Sequence, residues 1–146
     1  MNTRRKLILA LGAAALASPL TPHAQTKIWR IGFLSPRGRP ETLDSNVFGA
    51  FLRGMRELGY FEEKNLKIEW RFADAKLDRL PGLAAELVQL KLDLIVVAGT
   101  PAVGVMQKTT TTIPVVIVDV SDPVDSGFVK TLARPGGNIT GLSNLN

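Results

Sequence analysis

Five stretches of the chain carry the apolar patterns of β-strands. Residues 66–73 alternate apolar and polar side chains, which is typical of a strand with one exposed face. Residues 92–98 and 113–120 are almost continuously apolar and rich in Val and Ile, as expected for strands buried on both faces of a parallel sheet. Shorter apolar runs predict a first strand over residues 28–35 and a fifth over residues 138–143.

Between these strands, apolar residues recur at intervals of three and four, the spacing of a helix with one buried face. This spacing predicts helices over residues 46–59 and 78–91. Thr100 is expected to be the N-cap of a third helix, with Pro101 in its first position. Residues 125–133 are expected to form a short fourth helix. Because strand and helix alternate, the sequence predicts an α/β fold with a doubly wound parallel sheet.

The first 24 residues have the layout of a secretory signal peptide. Three basic residues at positions 4–6 precede an apolar run over residues 7–20, and small residues follow up to Ala24. The apolar run is shorter than the roughly 20 residues that span a bilayer. We expect cleavage after Ala24, and a second small-residue site ends at Ala17.

This predicted leader changes how the charge of the chain is interpreted. The 18 Lys and Arg exceed the 13 Asp and Glu by five, but removing the three basic residues at positions 4–6 leaves 15 against 13, a net charge of +2. Nucleic-acid binders concentrate basic residues on one surface, so no nucleic-acid partner is expected. The arginines at positions 4 and 5 resemble a twin-arginine signal and fit the general export route equally well. Both routes predict a periplasmic protein consisting of residues 25–146.

Missing residue types argue against most catalytic and metal sites. The chain has no Cys, so disulfides, thiolate metal ligands and a lipid-modified cysteine anchor are excluded. Its single histidine, His23, lies in the leader, which leaves residues 25–146 without a Ser-His-Asp triad or an imidazole zinc site. Neither GxxxxGK[ST] nor GxGxxG occurs. We therefore expect no cofactor, no metal and no enzymatic activity.

Carboxylate chemistry remains open as the alternative function. Asp119, Asp122 and Asp125 follow the predicted fourth strand, and together they are candidates for holding a divalent metal in an exported, flavodoxin-like enzyme. The competing interpretation is structural, with an Asp-Pro turn at Asp122 and an N-cap at Asp125.

Hydroxyl groups and helix starts at the carboxyl ends of strands are the best candidates for ligand binding. Ser35 follows the first predicted strand, Thr100 the third, and Ser121 and Asp122 the fourth. A helix N-terminus with a hydroxyl beside it holds an anion without a cationic side chain. Each residue also has a structural interpretation, as a cap or a turn residue. Arg37 and Arg39, just beyond the first strand, are candidate ligand contacts, although a solvated loop is the favoured interpretation.

The sequence resembles a known family over nearly all of residues 25–146. The matching segments occur in the family's order and with similar spacing: RIGFLS at 30–35, FLRGMRELGY at 51–60, DRLPGLAAELV at 78–88, DLIVVAGTP at 93–101, DP at 122–123 and LARPGGNITGLS at 132–143. These segments are similar to those of ABC-transporter substrate-binding proteins with the type I periplasmic fold, a group that includes bacterial receptors for aromatic amino acids. Repressor-type sensor domains share this fold, but an apolar leader is not expected in them.

The resemblance implies two doubly wound lobes with the ligand held between them. It implies a receptor that captures a small polar or amino-acid-like solute and delivers it to an ABC permease in the inner membrane. Ser35, Thr100, Ser121 and Asp122 are then expected on the cleft face. The chain stops at Asn146, where the family's chain would cross to its second lobe. The sequence is therefore expected to be a truncated N-terminal lobe without the second lobe.

Overall fold

Five strands and three α-helices alternate along residues 27–144, the part of the chain that the computed structural model describes. The predicted leader lies outside these residues. The strands are β1 Trp29–Ser35, β2 Leu66–Phe72, β3 Leu94–Ala98, β4 Val115–Val120 and β5 Ile139–Ser143. The helices are α1 Val47–Glu57, α2 Leu80–Gln89 and α3 Thr100–Thr109, with short 3-10 turns at Leu43–Ser45 and Leu77–Arg79.

All five strands form one parallel sheet in the order β2-β1-β3-β4-β5. The order reverses direction beside β1, as it does in a doubly wound fold, where helices lie on both faces of the sheet. The predicted fold class is confirmed. No helix in the part of the chain that the structure describes has both the length and the apolar character needed to cross a membrane.

The two faces of the sheet are covered unequally. Helices α2 and α3 pack over one face, where Leu87, Ile95, Val103 and Met106 are among the fully buried side chains. In the described part of the chain, α1 and the 3-10 turn that precedes it pack on the other face, against residues of β1 and β2. Residues of β3 and β4 also contribute to this cluster, where Val96 is buried and Val118 is only partly buried. This uneven cover leaves a depression at the carboxyl ends of the strands.

The fourth helix predicted over residues 125–133 is wrong. This segment forms successive turns, in which the backbone N–H groups of Phe128 and Val129 both donate to the carbonyl of Pro123, at 2.9 and 3.1 Å. Gly127 has φ +72, a conformation that interrupts a right-handed helix. Phe128 and Val129 still join the core cluster that includes α3, whereas Leu132 is exposed.

The cap predicted at Thr100 is wrong, whereas two other helix ends carry residues suited to those positions. Pro81 lies in the first turn of α2, and Gly59 follows α1 with φ +86, as expected for a left-handed cap. Thr100 is not the N-cap of α3. The cap is Gly99, with φ +82, and Thr100 is the first helical residue. A Cβ at Gly99 would stand 3.3 Å from Pro36 Cγ, so glycine also lets α3 begin close to the turn after β1.

Asp93, just before β3, connects to the start of β1 at the amino edge of the sheet. These contacts make the stability of the fold sensitive to acid. Asp93 accepts from Lys27 Nζ and from the backbone N–H of Arg30, both at 2.8 Å, and these contacts lower the pKa of its carboxyl. A carboxyl whose pKa is lowered by folding stabilises the fold above its unfolded pKa, and the contribution is lost as pH falls through the folded pKa.

We expect Asp93→Asn to lower the free energy of unfolding by about 1 kcal/mol at neutral pH, because the ion pair with Lys27 is lost. The difference from wild type should shrink below about pH 4, where the wild-type carboxyl also takes up a proton. Urea unfolding at pH 7 and pH 3 measures both values. Glu63→Gln, which removes one charge from an exposed turn, should follow the wild-type acid profile. A constant deficit across pH would contradict this role of the charge.

Candidate functional site

A cavity of about 320 Å³ opens at the carboxyl edge of the sheet, on the α1 side. Four strand ends and the start of α1 contribute to its lining, which consists of Phe33, Ser35, Arg37, Val47, Phe48, Ala98, Val118, Asp119 and Asn144. Small-molecule sites have volumes of about 300–1,000 Å³. In open parallel sheets they lie outside the carboxyl ends of the strands. Both position and size therefore fit a small-ligand site.

Aromatic rings form the apolar wall of the cavity. Phe33 of β1 and Phe48 of α1 meet edge to face, with centroids 5.4 Å apart and planes at 79°. Phe48 also contacts Phe72 edge to face at 5.3 Å. The start of α1 is held by Asn46, whose side chain accepts from the N–H of Phe48 at 2.9 Å. Packing among these rings and the cap at Asn46 therefore hold the wall in place without a ligand.

Ser35 ends β1 and is completely buried. Its Oγ accepts from the backbone N–H of Arg37 at 3.2 Å, and its carbonyl accepts from the N–H of Ala73 at 2.9 Å. Ser35 therefore has the structural role of holding the turn that carries Arg37, and it also lines the cavity. The hydrogen bonds support the turn interpretation, and the ligand-binding role of Ser35 stays a prediction.

The polar side of the cavity is a three-residue network. Arg37 Nη2 donates to Asp119 Oδ2 at 2.6 Å, and Asn144 Nδ2 donates to Asp119 Oδ1 at 2.8 Å. The side chains of Arg37 and Asp119 are 60% and 46% exposed, so both charges remain within reach of a solute. Arg37 is not a free loop residue, because it lines the cavity and pairs across it.

A β-bulge in β4 directs Asp119 into the cavity. Ile117 faces α2 and α3, and Val118 faces the α1 side, so plain alternation would turn Asp119 toward the α2 and α3 core. The register against β5 is interrupted between Ile117 and Val120, and Asp119 has φ +58, in the left-handed region. As a result Asp119 follows Val118 onto the cavity side, and the next residue, Val120, returns to the core.

The predicted site residues lie at the expected edge of the sheet, but they are not all in the cavity. Ser35 is part of the lining, whereas Thr100, Ser121 and Asp122 are exposed at the ends of β3 and β4 outside it. Asp122 Oδ1 accepts from the N–H groups of Val124 and Asp125 at 3.2 and 2.9 Å. This confirms the turn interpretation of Asp122.

The three aspartates proposed for a metal-dependent enzyme do not converge. Asp119 pairs with Arg37, and Asp122 is engaged by its own turn. Asp125 caps no helix, because none forms there. Across residues 27–144, no group of three or more His, Cys, Asp or Glu is placed to hold a metal ion. The geometry therefore gives the enzyme alternative no support.

Several cavity residues were not predicted from the sequence. Val47 and Phe48 were assigned to a helix face, and nothing local placed the start of that helix over the sheet edge. Asn144 follows β5, and its contact with Asp119 depends on the pairing of β4 with β5. Asp119 was noticed, but as a metal ligand. The signal in the sequence was an aspartate inside the Val- and Ile-rich fourth strand, at a position that strand alternation would bury.

A lobe with parallel strands and a ligand-sized cavity at their carboxyl edge defines a class of ligand-binding α/β proteins. Within that class, the family described as "ABC transporter substrate binding protein" matches this chain over residues 40–146. The chain belongs to this family, which confirms the resemblance seen in the sequence.

Proteins similar to this chain include one curated protein and several solved structures. A tyrosine-binding protein of Clostridioides difficile strain R20291 is 34% identical over 94 residues, an alignment covering 64% of this chain and 27% of that protein. A ligand-free, open substrate-binding protein with adhesive properties from Clostridium difficile is 30% identical, with a TM-score of 0.73 over 82% of this chain and 40% of that one. A Streptococcus pneumonia domain solved with L-Trp is 30% identical, with a TM-score of 0.72, covering 80% and 39%.

The chain therefore spans about a quarter of the length of the curated relative and about two fifths of the solved structures. The binding activity, the solute, the partner and the cellular compartment are therefore matters of proposal.

Proposed function

We propose that this chain is the N-terminal lobe of the substrate-binding component of an ABC importer, which captures a small amino-acid-like solute in the periplasm. The observation that carries the proposal is the cavity at the carboxyl edge, lined from four strand ends and the start of α1. The lobe delivers its solute to a permease in the inner membrane. It has no catalytic role, no cofactor and no nucleic-acid partner in this proposal.

The chemistry of the lining supports a solute with both polar and apolar parts. Phe33, Val47 and Phe48 provide apolar and aromatic contact, and Arg37 and Asp119 provide one charge of each sign. The similar proteins include one named for tyrosine and one solved with L-Trp. Aromatic amino acids combine these same two features, so they are the first solutes to test.

Ser35, Thr100, Ser121 and Asp122 have different places in this proposal. Ser35 belongs to the cavity lining but is fully buried, so its part in this proposal is to hold the turn that carries Arg37. Thr100, Ser121 and Asp122 form an exposed rim outside the cavity. We propose that the rim meets a solute only when a second lobe closes over the edge, by the hinge motion that two-lobed binding proteins use. Residues 25–146 by themselves should therefore bind weakly, because the contacts from a second lobe add to those of this cavity.

The predicted leader completes the proposal for the cellular location. Residues 1–24 direct export and are removed after Ala24, which leaves residues 25–146 in the periplasm without a lipid anchor. The mass of the chain recovered from the periplasm should correspond to an N-terminus at Gln25. Recovery of the intact chain from the cytoplasm would contradict export.

We expect the exported chain to bind L-tryptophan and L-tyrosine with dissociation constants in the millimolar range. Titration of ¹⁵N-labelled chain by NMR should shift the amide signals of Ser35, Arg37 and Asp119 and the side-chain amide of Asn144. Ribose, at the same concentrations, is the control and should leave these signals in place. Shifts confined to the amino edge, around Asp93, would overturn the site, and conversion of the amino acid would overturn the receptor function.

A further inference from the structure

The ion pair between Arg37 and Asp119 depends on an unusual backbone conformation in β4. Alternation along β4 would place residue 119 on the buried face, where a carboxylate is expensive. Instead the chain inserts a bulge, and Asp119 takes a φ of +58, a conformation uncommon in non-glycine residues. Backbone outliers of this kind concentrate at ligand sites.

The pair is also unlike a contact that stabilises a fold. Both side chains are about half exposed, so water already screens their attraction, and such pairs contribute little to stability. Asn144 donates to the other oxygen of Asp119 and holds the carboxylate in place when Arg37 moves away. Arg37 is carried on a turn that Ser35 fixes through its Oγ. The two charges are therefore independently anchored, and little free energy is needed to separate them.

Resting on the proposed function, we propose that the Arg37–Asp119 pair is the zwitterion-recognition element of the cavity and opens when a solute binds. Asp119 accepts hydrogen bonds from the ammonium group of an α-amino acid, and Arg37 donates to its carboxylate. Arg37 and Asp119 separate, and each binds the oppositely charged group of the solute instead. No charge is then left unpaired in the cavity. The apolar side chain of the solute lies against the ring of Phe48, which lines the same cavity.

A purely structural pair has different consequences. If the pair only connected β1 to β4, its removal would change stability without changing which solutes bind. A zwitterion-recognition element instead discriminates between analogues that lack one charge. L-tryptophan, tryptamine, which lacks the carboxylate, and indole-3-propionate, which lacks the ammonium group, share one indole ring and isolate the two contacts.

The test is NMR titration of wild-type chain and of Asp119→Asn with these three compounds. Asparagine has nearly the same shape and tolerates the left-handed conformation, so the backbone should be kept. We expect wild type to bind L-tryptophan at least tenfold more tightly than either analogue. Asp119→Asn should lose about tenfold for L-tryptophan while keeping its affinity for indole-3-propionate. Arg37→Gln should show the converse, losing affinity for L-tryptophan and keeping it for tryptamine.

Asp125→Asn is the matched control, because it removes the same charge from an exposed position near the same edge of the sheet. It should bind all three compounds as wild type does. Binding of L-tryptophan in the cavity with unchanged affinity in Asp119→Asn would overturn the inference and leave the proposed function standing. Equal wild-type affinity for all three compounds would overturn it in the same way, without relying on any variant. If none of the compounds shifts the cavity signals, both the inference and the proposed class of solute fail.

Discussion

Replacement of Gly141 with alanine is expected to destabilise the chain by about 3 kcal/mol and to detach β5 from the sheet. A Cβ at this position would stand 2.1 Å from the carbonyl oxygen of Ile117 and 2.6 Å from its nitrogen. Both atoms belong to the backbone of β4, so no side chain can rotate away to relieve the overlap. The φ of +148 at Gly141 adds further strain for any residue with a side chain.

Urea unfolding measures this loss, and Gly137→Ala is the matched control from the loop just before β5. A Cβ there would have no heavy atom within 4 Å, so its effect should be within about 0.5 kcal/mol of zero. The side-chain amide signal of Asn144 gives a second readout, because a detached β5 also loses the hydrogen bond to Asp119. Equal stability of the two variants would show that β5 accommodates a side chain at position 141.

The close approach at Gly141 and the bulge at Asp119 are parts of the same arrangement. Gly141 pairs with Ile117, the last residue before the register interruption, and pairing resumes between Val120 and Ser143. Because Gly141 has no side chain, the backbones of β4 and β5 can approach closely where the bulge shifts the side-chain alternation of β4 by one residue. The contact between Asp119 and Asn144 therefore depends on a glycine that is not part of the cavity lining.

The fold was predictable from the sequence because its signals are local and repeated. Each of the five strands and each helix with a clear three-and-four spacing lies within about two residues of its predicted bounds. The one failed helix, over residues 125–133, had apolar residues at suitable intervals but carried Gly127 in its interior. There the conformation of one residue outweighed a weak pattern, because a short segment forms few helical hydrogen bonds.

The candidate site was less predictable, because it depends on how distant elements meet. The fold class predicts that a site lies at the carboxyl edge of the sheet. Ser35 was placed beside the cavity on this basis. Asp119, Arg37 and Asn144 come from three separate segments, and their contact requires both the strand order and the bulge. Neither is encoded by periodicity. The strand ends Thr100 and Ser121 were placed at the correct edge, but the cavity lies on the α1 side of the sheet and does not include them.

Two glycines of α1 are expected to respond in opposite directions to the same substitution. A Cβ at Gly49 would stand 2.2 Å from the carbonyl oxygen and 2.5 Å from the carbonyl carbon of Asp44. That residue belongs to the 3-10 turn packed beneath the start of the helix, in which the side chain of Leu43 joins the aromatic cluster. Gly49→Ala must displace this turn, and we expect a net loss of about 2 kcal/mol, even after the gain in helix propensity.

Gly54 lies in the same helix, and a Cβ there would have no heavy atom within 4 Å apart from the helix itself. Gly54→Ala should therefore stabilise the chain by about 0.5–1 kcal/mol, the ordinary advantage of alanine over glycine in a helix interior. Urea unfolding of both variants compares them directly. Because Gly49 is next to Phe48, its substitution should also shift the aromatic wall and weaken binding of L-tryptophan, whereas Gly54→Ala should bind as wild type does. A stabilising effect of Gly49→Ala would mean that the 3-10 turn moves without cost, and that the start of α1 does not fix the cavity wall.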